Sequence, residues 1–246
     1  MNINKLKYYL SKNLTTSQII NRKFLRKEAR KLNGNILDLG CGTGEYSLLM
    51  AKNLDNQVVA LDGSENLSVD LQKKVEQLKM KNLKVIHSDA HRLPFADDSF
   101  DACFCNTVLE HVRDPEQIVK EIKRILKPQG KVIISIPFLQ EIHADPDDFQ
   151  RYTPYGLGNL LQKNNFQITG QHCDYGALNT LEYLLLGSFV WRLRLGFRKN
   201  FPFGYIYIIF LMIMHLFFKV SHWLFRPLQK RDKHFFTMVV LVGVKK

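Results

Sequence analysis

A short apolar run that leads directly into a glycine-rich turn constrains this chain more than any other stretch. Ile36, Leu37 and Leu39 predict a buried strand, and residues 40–44 (GCGTG) follow at once. Residues 45–53 then predict a helix. Glycine lets the backbone turn sharply and a ligand approach closely, because no Cβ is in the way. Free N–H groups at the start of the helix can face that ligand, so the stretch predicts a nucleotide-binding unit.

The spacing of the glycines distinguishes between nucleotides. A dinucleotide fingerprint has its third glycine three residues after the second. Here the third glycine, Gly44, lies only two positions after Gly42, and Glu45 occupies the position of the third glycine in the fingerprint. Asp38, inside the strand, suits a cationic ligand better than a diphosphate. An ordinary strand-to-helix turn without a ligand is the alternative.

The segment DLGCGTGEY resembles the first motif of the class I S-adenosylmethionine-dependent methyltransferases. A second segment, from SDAHRLPF to KVIISIP, is similar to the small-molecule and quinone-type branch of that family, so the resemblance covers residues 35–138. It implies an α/β, Rossmann-like class I methyltransferase fold, whose seven-stranded sheet is mostly parallel with an antiparallel last strand. The implied cofactor is S-adenosyl-L-methionine, whose amine and sulfonium are positive.

Acidic residues at strand ends are candidate cofactor ligands. Asp62 follows a predicted strand at 57–61, about 20 residues past the glycine turn, where a carboxylate can accept hydrogen bonds from ribose hydroxyls. A plain turn is the alternative. The resemblance implies that Asp89, after a strand at 83–87, contacts the adenine amino group and that the Ala90 N–H reaches the ring. It also implies cofactor-binding roles for Asp38, Gly40, Gly42, Gly44 and Asn106.

Two histidines are the candidate catalytic groups, because ligands of open parallel sheets bind beyond the carboxyl ends of the strands. His111 follows a predicted strand at 100–106 and is the first candidate general base. His143 follows a strand at 131–137 and is the second. A structural role is the alternative for His111.

Asp148, Arg151 and Tyr152 lie on the same loop as His143 and are candidate substrate-binding residues. The loop resembles one found in methyltransferases of surface-glycan and lipid pathways. The alternative is that Asp148 and Arg151 simply pair with each other across one turn.

No metal site is predicted. The four cysteines lack C-x-x-C spacing and indicate a reduced, intracellular protein, and the polar N-terminus lacks the apolar stretch of a signal peptide. Quinone O-methyltransferases carry an extra acid three positions before a Glu-His pair. That pair would be Glu110-His111 here, and Asn106 or Thr107 stands where the acid is expected.

The net charge of +12 would suit a nucleic acid or an anionic membrane. However, the Asn/Asp-Pro-Pro-aromatic motif of amino-directed base methyltransferases is absent, because Asn106 is followed by Thr-Val-Leu. We therefore do not expect a nucleic acid as partner.

A hydrophobic helical insert separates two predicted strands, 166–173 and 235–244, that are neighbours in the implied fold. The separation of about 60 residues far exceeds a usual loop. Residues 205–218 are apolar except for His215. Between positions 175 and 233 there are nine Lys or Arg residues and only two acidic residues. A bilayer-spanning helix needs about 20 apolar residues, and both ends of the insert must return to one sheet, which excludes a single span.

We expect this insert to form a hairpin in the membrane interface, with Trp191 and Trp223 at the headgroups. A spanning arrangement would force a group of basic residues across the bilayer: Arg192, Arg194, Arg198 and Lys199. A packed extra layer or a dimer interface is the alternative. The expected domains are an N-terminal helical cap (1–34), the methyltransferase domain (35–174 and 234–246) and the insert (175–233). The cap could act as a lid or contact anionic lipid.

The expected function is methyl transfer to an oxygen of a lipid-linked or amphiphilic small-molecule acceptor. The expected location is cytoplasmic and peripheral, on the inner face of the membrane. Two alternatives remain open. One is a methyltransferase of a soluble small molecule, and the other is a non-catalytic protein that binds S-adenosylmethionine and recruits partners to membranes.

Overall fold

The computed structural model describes residues 15–143, 146–187, 204–224 and 234–246. Five residues of the sequence-based membrane argument lie outside this part of the chain: Trp191, Arg192, Arg194, Arg198 and Lys199.

Seven strands form one sheet in the order β3-β2-β1-β4-β5-β7-β6. Six run parallel and the last in the chain runs antiparallel, as predicted. The strands are β1 (Asn35–Leu39), β2 (Gln57–Asp62), β3 (Leu83–His87), β4 (Phe100–Asn106), β5 (Leu126–Pro137), β6 (Phe166–Cys173) and β7 (Met238–Lys245).

The apolar runs form strands because both faces of a parallel sheet are covered, which requires nearly continuous hydrophobic sequence. Ile36, Leu37 and Leu39 of β1 are fully buried. Leu39 pairs with Leu61 of β2 on one side and with Cys105 of β4 on the other. The carboxyl ends of these three strands are therefore level with one another.

Seven helices accompany the sheet among the described residues. They are α1 (Thr16–Ala29), α2 (Glu45–Met50), α3 (Glu65–Gln77), α4 (Pro115–Ile125), α5 (Pro154–Lys163), α6 (Ala177–Glu182) and α7 (Gly204–Leu224). A single 3₁₀ turn spans Leu109–His111, and a π-helical turn, Tyr183–Gly187, continues α6.

The start of α4 follows the capping rules. Asp114 accepts a hydrogen bond from the Gln117 N–H at 3.0 Å, and Pro115 occupies the first helical position. Ile118 and Ile122 on one face of α4 are fully buried.

Strand β5 begins earlier than the predicted 131–137. Leu126 already pairs with Phe100, and the register then shifts before Ala102 pairs with Lys131. Gln129 has a φ of +63° inside this stretch. The Lys-Pro-Gln-Gly sequence therefore makes an irregularity within a strand that is longer than predicted.

The chain divides into two compact units. One comprises residues 24–138, 142–172 and 239–246, and it holds most of the sheet. The other comprises the described residues of 15–23, 139–141 and 173–238.

The two ends of the insert meet inside the second unit. Asp174 is 2% exposed and accepts hydrogen bonds from the Thr237 N–H at 3.0 Å, the Thr237 hydroxyl at 2.7 Å and the Met238 N–H at 3.0 Å. One buried carboxylate thus joins the end of β6 to the start of β7. The two strands can therefore be neighbours although a long insert separates them in sequence. Among the described helices, none combines the length and apolar character that crossing a bilayer requires.

Candidate active site

The glycine turn leaves β1 through residues that all have positive φ: 70° at Gly40, 52° at Gly42 and 77° at Gly44. A Cβ on Gly40 would collide with Cγ2 of Val108, and one on Gly44 would collide with Cδ1 of Leu71. A Cβ on Gly42 would meet nothing within 4 Å. Two of the glycines are therefore required by packing, whereas Gly42 borders open space that a ligand can enter.

Asp62 connects this turn to the end of β2. Its Oδ2 accepts a hydrogen bond from the Gly42 N–H at 2.7 Å, and its Oδ1 accepts one from the Ser64 N–H at 2.9 Å. The Leu61 carbonyl accepts further bonds from the amides of Gly40 and Cys41, at 2.8 and 3.0 Å. Each carboxylate oxygen can accept a second hydrogen bond, so the arrangement fits the predicted contact with ribose hydroxyls.

Asp38 is 2% exposed, and its carboxyl group accepts a hydrogen bond from the Ser47 hydroxyl in the first turn of α2. Burial raises the pKa of Asp38 to about 7, against the lowering effect of its hydrogen bonds with Ser47. In this structure the carboxyl group supports the start of α2. Direct cofactor binding by Asp38 stays a prediction.

The remaining predicted cofactor residues also lie at strand ends. Asp89, exposed after β3, accepts hydrogen bonds from the His91 N–H at 2.9 Å and from His91 Nδ1 at 2.7 Å, and these bonds lower its pKa. Ala90 follows and is half-buried. At the end of β4, Asn106 Oδ1 accepts a hydrogen bond from the Ser135 hydroxyl at 2.6 Å.

Thr107 turns the chain out of β4 with a φ of +54°, which is uncommon for a β-branched residue. Its N–H donates to the Ser135 carbonyl at 3.0 Å, which holds the turn in place. The strained turn leads directly into the 3₁₀ turn that carries His111. Strained backbone of this kind clusters at functional sites.

The structure brings the two predicted histidines together. Their rings are edge-to-face, with centroids 4.8 Å apart. His111 Nδ1 lies 2.6 Å from the Asp147 carbonyl, so this nitrogen carries the hydrogen and Nε2 is the basic atom of the neutral ring. His143 Nδ1 lies 3.3 Å from Oδ2 of Asp148.

Nη1 and Nη2 of Arg151 donate hydrogen bonds to the two carboxylate oxygens of Asp148. Asp148 also accepts a hydrogen bond from the His143 N–H at 2.9 Å. The Arg151 guanidinium holds the pKa of Asp148 well below its usual range. The Tyr152 hydroxyl donates to Gln150 at 2.7 Å, and burial raises the pKa of Tyr152. All three contacts support the loop, and a role in acceptor binding stays a prediction.

Sequence reasoning gave Glu110 no role. Its side chain is fully buried, and neither oxygen has a hydrogen-bond partner among the described residues. One oxygen lies 3.8 Å from Nε2 of His111. Burial raises the pKa of Glu110 to about 8, against the lowering effects of its own backbone amide and of the nearby Arg151. In the sequence, only the position of Glu110 beside His111 suggested a role for it. The burial of its side chain could not be predicted from a Glu-His pair.

Comparison with known proteins identifies the part of the chain that carries this site. Residues 37–134 match a family model described as a methyltransferase domain. A demethylmenaquinone methyltransferase from Listeria welshimeri is 38% identical over 114 residues, which are 44% of this chain and 48% of the relative. One from Bacillus mycoides is 36% identical over 118 residues, 45% of this chain and 50% of the relative. The matched segment thus spans about half the length of these relatives.

Solved structures are similar over more of the chain. The [4+2]-cyclase SpnF has a TM-score of 0.66 at 18% identity and covers 94% of this chain and 83% of its own. A SAM-dependent methyltransferase from Aquifex aeolicus has a TM-score of 0.53 at 23% identity. The match covers 69% of this chain and 89% of the methyltransferase. These similarities confirm the predicted fold class. Because one neighbour is named a cyclase, the fold alone does not identify the reaction.

The first prediction separates the two functions of the glycines. Gly44→Ala should lower the free energy of unfolding by about 1–3 kcal/mol, because the Cβ both strains the backbone and displaces Leu71. Gly42→Ala should cost less stability and still weaken S-adenosylmethionine binding at least tenfold, because its Cβ enters the open space. Urea unfolding and calorimetric titration measure the two effects. Equal losses of both properties in both variants would contradict this division.

The second prediction concerns pH. The folded state keeps Asp38 protonated up to about pH 7, whereas the unfolded chain ionises it near 3.8. Asp38 therefore stabilises the fold at low pH and loses about 1.4 kcal/mol per pH unit of that contribution as pH rises from 5 to 7. Asp38→Asn should remove this decline in the free energy of unfolding. Asp55→Asn, at an exposed position, is the control, and parallel pH curves for all three proteins would refute the assignment.

Proposed function

Because residues 37–134 match a family model described as a methyltransferase domain, we propose that the chain uses S-adenosylmethionine to methylate an oxygen of an amphiphilic small molecule at the inner face of the cytoplasmic membrane. The observation that carries the proposal is the junction between the glycine turn after β1 and the histidine turn after β4. In open α/β sheets ligands bind where the strand order reverses. Here the order reverses between β1 and β4.

The two turns are in direct contact at this junction. Val108, three residues before His111, packs so closely on Gly40 that no Cβ fits between them. Leu39 and Cys105 are paired, so both turns leave the same edge of the sheet. A cofactor held at Gly42 and Asp62 would therefore meet an acceptor held beside His111.

S-adenosylmethionine supplies a methyl group on a positively charged sulfur. Its cationic end would lie near Asp38, with the ribose hydroxyls at Asp62 and the adenine amino group at Asp89. His111 Nε2 takes the proton from an acceptor hydroxyl while the oxygen forms its bond to the methyl carbon. The carbon–sulfur bond breaks and its electron pair stays on the sulfur. The Asp147 carbonyl holds the Nδ1–H of His111 and keeps Nε2 available during this step.

The class of acceptor is inferred from two sources. The Listeria and Bacillus relatives are named for demethylmenaquinone, which is a quinone. The second source is the helical surface of the insert unit, which suits an acceptor that resides in a membrane.

Helix α7 exposes a large apolar face, although Phe218 on the same helix is buried. Large apolar side chains are exposed at i, i+3, i+4 and i+7 spacing along one face: Ile213, Leu216, Phe217, Val220, Trp223 and Leu224. Leu181, Leu184 and Leu185 of the preceding helical segment are exposed as well. A helix of a water-soluble domain normally turns its apolar stripe toward the core.

The inner side of the same helices carries polar groups. Glu182 is fully buried, lies 2.9 Å from His222 Nε2 and accepts the Thr16 N–H at 2.9 Å. Ser221 is buried too. An exposed apolar face with polar groups on the inner side is the arrangement expected of a surface that contacts lipid, and the basic charge of the insert favours anionic headgroups.

The third prediction tests the reaction. With methyl-labelled S-adenosylmethionine and a cell extract divided into organic, aqueous and RNA fractions, we expect label in the organic fraction. His111→Ala should lower the rate at least about 100-fold with unchanged cofactor affinity, because only proton removal is lost. His234→Ala, at an exposed histidine in the other unit, should retain the rate. Label confined to the aqueous or RNA fraction would overturn the acceptor class.

The fourth prediction tests the lipid surface. The wild type should float with vesicles that contain anionic lipid, and a Leu216→Glu/Trp223→Glu variant should not, because its charges oppose insertion. Leu54→Glu, which adds a charge at a position 80% exposed in the first unit, is the matched control and should float. A wild type that stays with the soluble fraction would contradict membrane docking. A dimer that the double variant dissociates would assign the surface to a second copy of the chain.

A further inference from the structure

A buried carboxylate and two imidazoles lie together beyond the ends of β4 and β5. Glu110, His111 and His143 each offer one ligand atom, and these atoms all lie within 4.8 Å of one another. We propose that this cluster binds one divalent transition-metal ion of the zinc type. The proposal departs from the sequence-based expectation of no metal, which rested on the absent acid near position 107.

Glu110 supplies the first independent observation. Its side chain is fully buried, and both oxygens lack a hydrogen-bond partner among the described residues. Buried polar atoms are almost always satisfied, because an unpaired carboxylate loses its hydration without compensation. One of the oxygens lies 3.8 Å from His111 Nε2, so it is directed into the cluster. A bound cation would supply the missing partner.

The surroundings of the two histidines supply the second. His111 directs Nδ1 at the Asp147 carbonyl, 2.6 Å away, and His143 directs Nδ1 at the Asp148 carboxylate, 3.3 Å away. Metal-binding histidines almost always donate their other ring N–H to a carbonyl or a carboxylate, which fixes the ring. Arg151 in turn holds Asp148. The supporting contacts of a metal site are therefore present.

The donor set indicates which ion fits. Two imidazole nitrogens and one carboxylate oxygen are typical of catalytic zinc sites and of similar transition-metal sites. Calcium and magnesium prefer oxygen ligands alone. Three protein ligands leave a coordination position open, and the half-buried side chains of His111 and His143 give access from solvent.

The inference rests on the proposed function only for the acceptor, and it replaces the role of His111 as the base with a role as a metal ligand. In the metal-bound chain His111 Nε2 is a ligand, so it is no longer the base. An acceptor hydroxyl on the open position would lose its proton to water more readily, because the cation stabilises the oxyanion. Ion binding itself does not depend on the identity of the acceptor.

The test uses the full chain, stripped with a chelator and then titrated with Zn²⁺ or Co²⁺ alone. We expect one ion per chain and, with Co²⁺, a visible absorption band from nitrogen and oxygen ligands. His143→Ala and Glu110→Gln should each weaken binding at least tenfold. His234→Ala, at an exposed histidine outside the cluster, should bind like the wild type.

His143→Ala is the informative variant, because its half-buried side chain can be removed without leaving a buried charge. Circular dichroism and S-adenosylmethionine affinity in the same preparations verify that the variants are folded. Equal ion binding by the wild type and His143→Ala, or no binding by the wild type, would overturn the metal site. Ion binding without any methyl transfer would overturn the proposed function and leave the metal site intact.

Discussion

The hydrogen bond from the Gly42 amide to the Asp62 carboxylate joins the two strand ends on which the candidate site depends. It requires a backbone with positive φ at Gly42, which glycine adopts without strain. It also requires β1 and β2 to end level, which the pairing of Leu39 with Leu61 provides. The hydrogen bond between Gly42 and Asp62 therefore depends on both the sheet register and the conformation of the turn.

The same edge of the sheet explains how the second half of the site is positioned. Val108 packs on Gly40, and it directly follows Thr107, whose backbone has an unfavourable positive φ. The turn then directs Glu110 and His111 toward His143. The contact between Val108 and Gly40 thus links the turn proposed to hold the cofactor to the turn that carries His111.

The insert unit obeys a different physical rule from the sheet unit. In the sheet unit, apolar side chains such as Ile36 and Ile122 are buried. In the insert unit, Glu182 is buried within hydrogen-bond distance of His222, while Phe217 and Trp223 are exposed. Burying polar groups and leaving a large aromatic surface in water both cost free energy. A lipid interface would remove the second cost.

The sequence predicted the parts of the structure that local chemistry determines. The glycine turn and the strands with continuous apolar runs need only short-range information. The positive φ of Thr107 could not be foreseen, because threonine disfavours it. The burial of Glu110 and the support of His111 by Asp147 depend on a loop 36 residues or more away in sequence. Such long-range placements have no periodic signal.

A crystal structure of the chain with S-adenosylhomocysteine would show whether the glycine turn and the histidine turn form one site. We expect the ribose hydroxyls within hydrogen-bond distance of the Asp62 carboxylate, the adenine amino group at Asp89, and the sulfur facing the turn that carries His111. The product bound elsewhere, or bound here with its sulfur directed away from His111 and His143, would contradict this expectation.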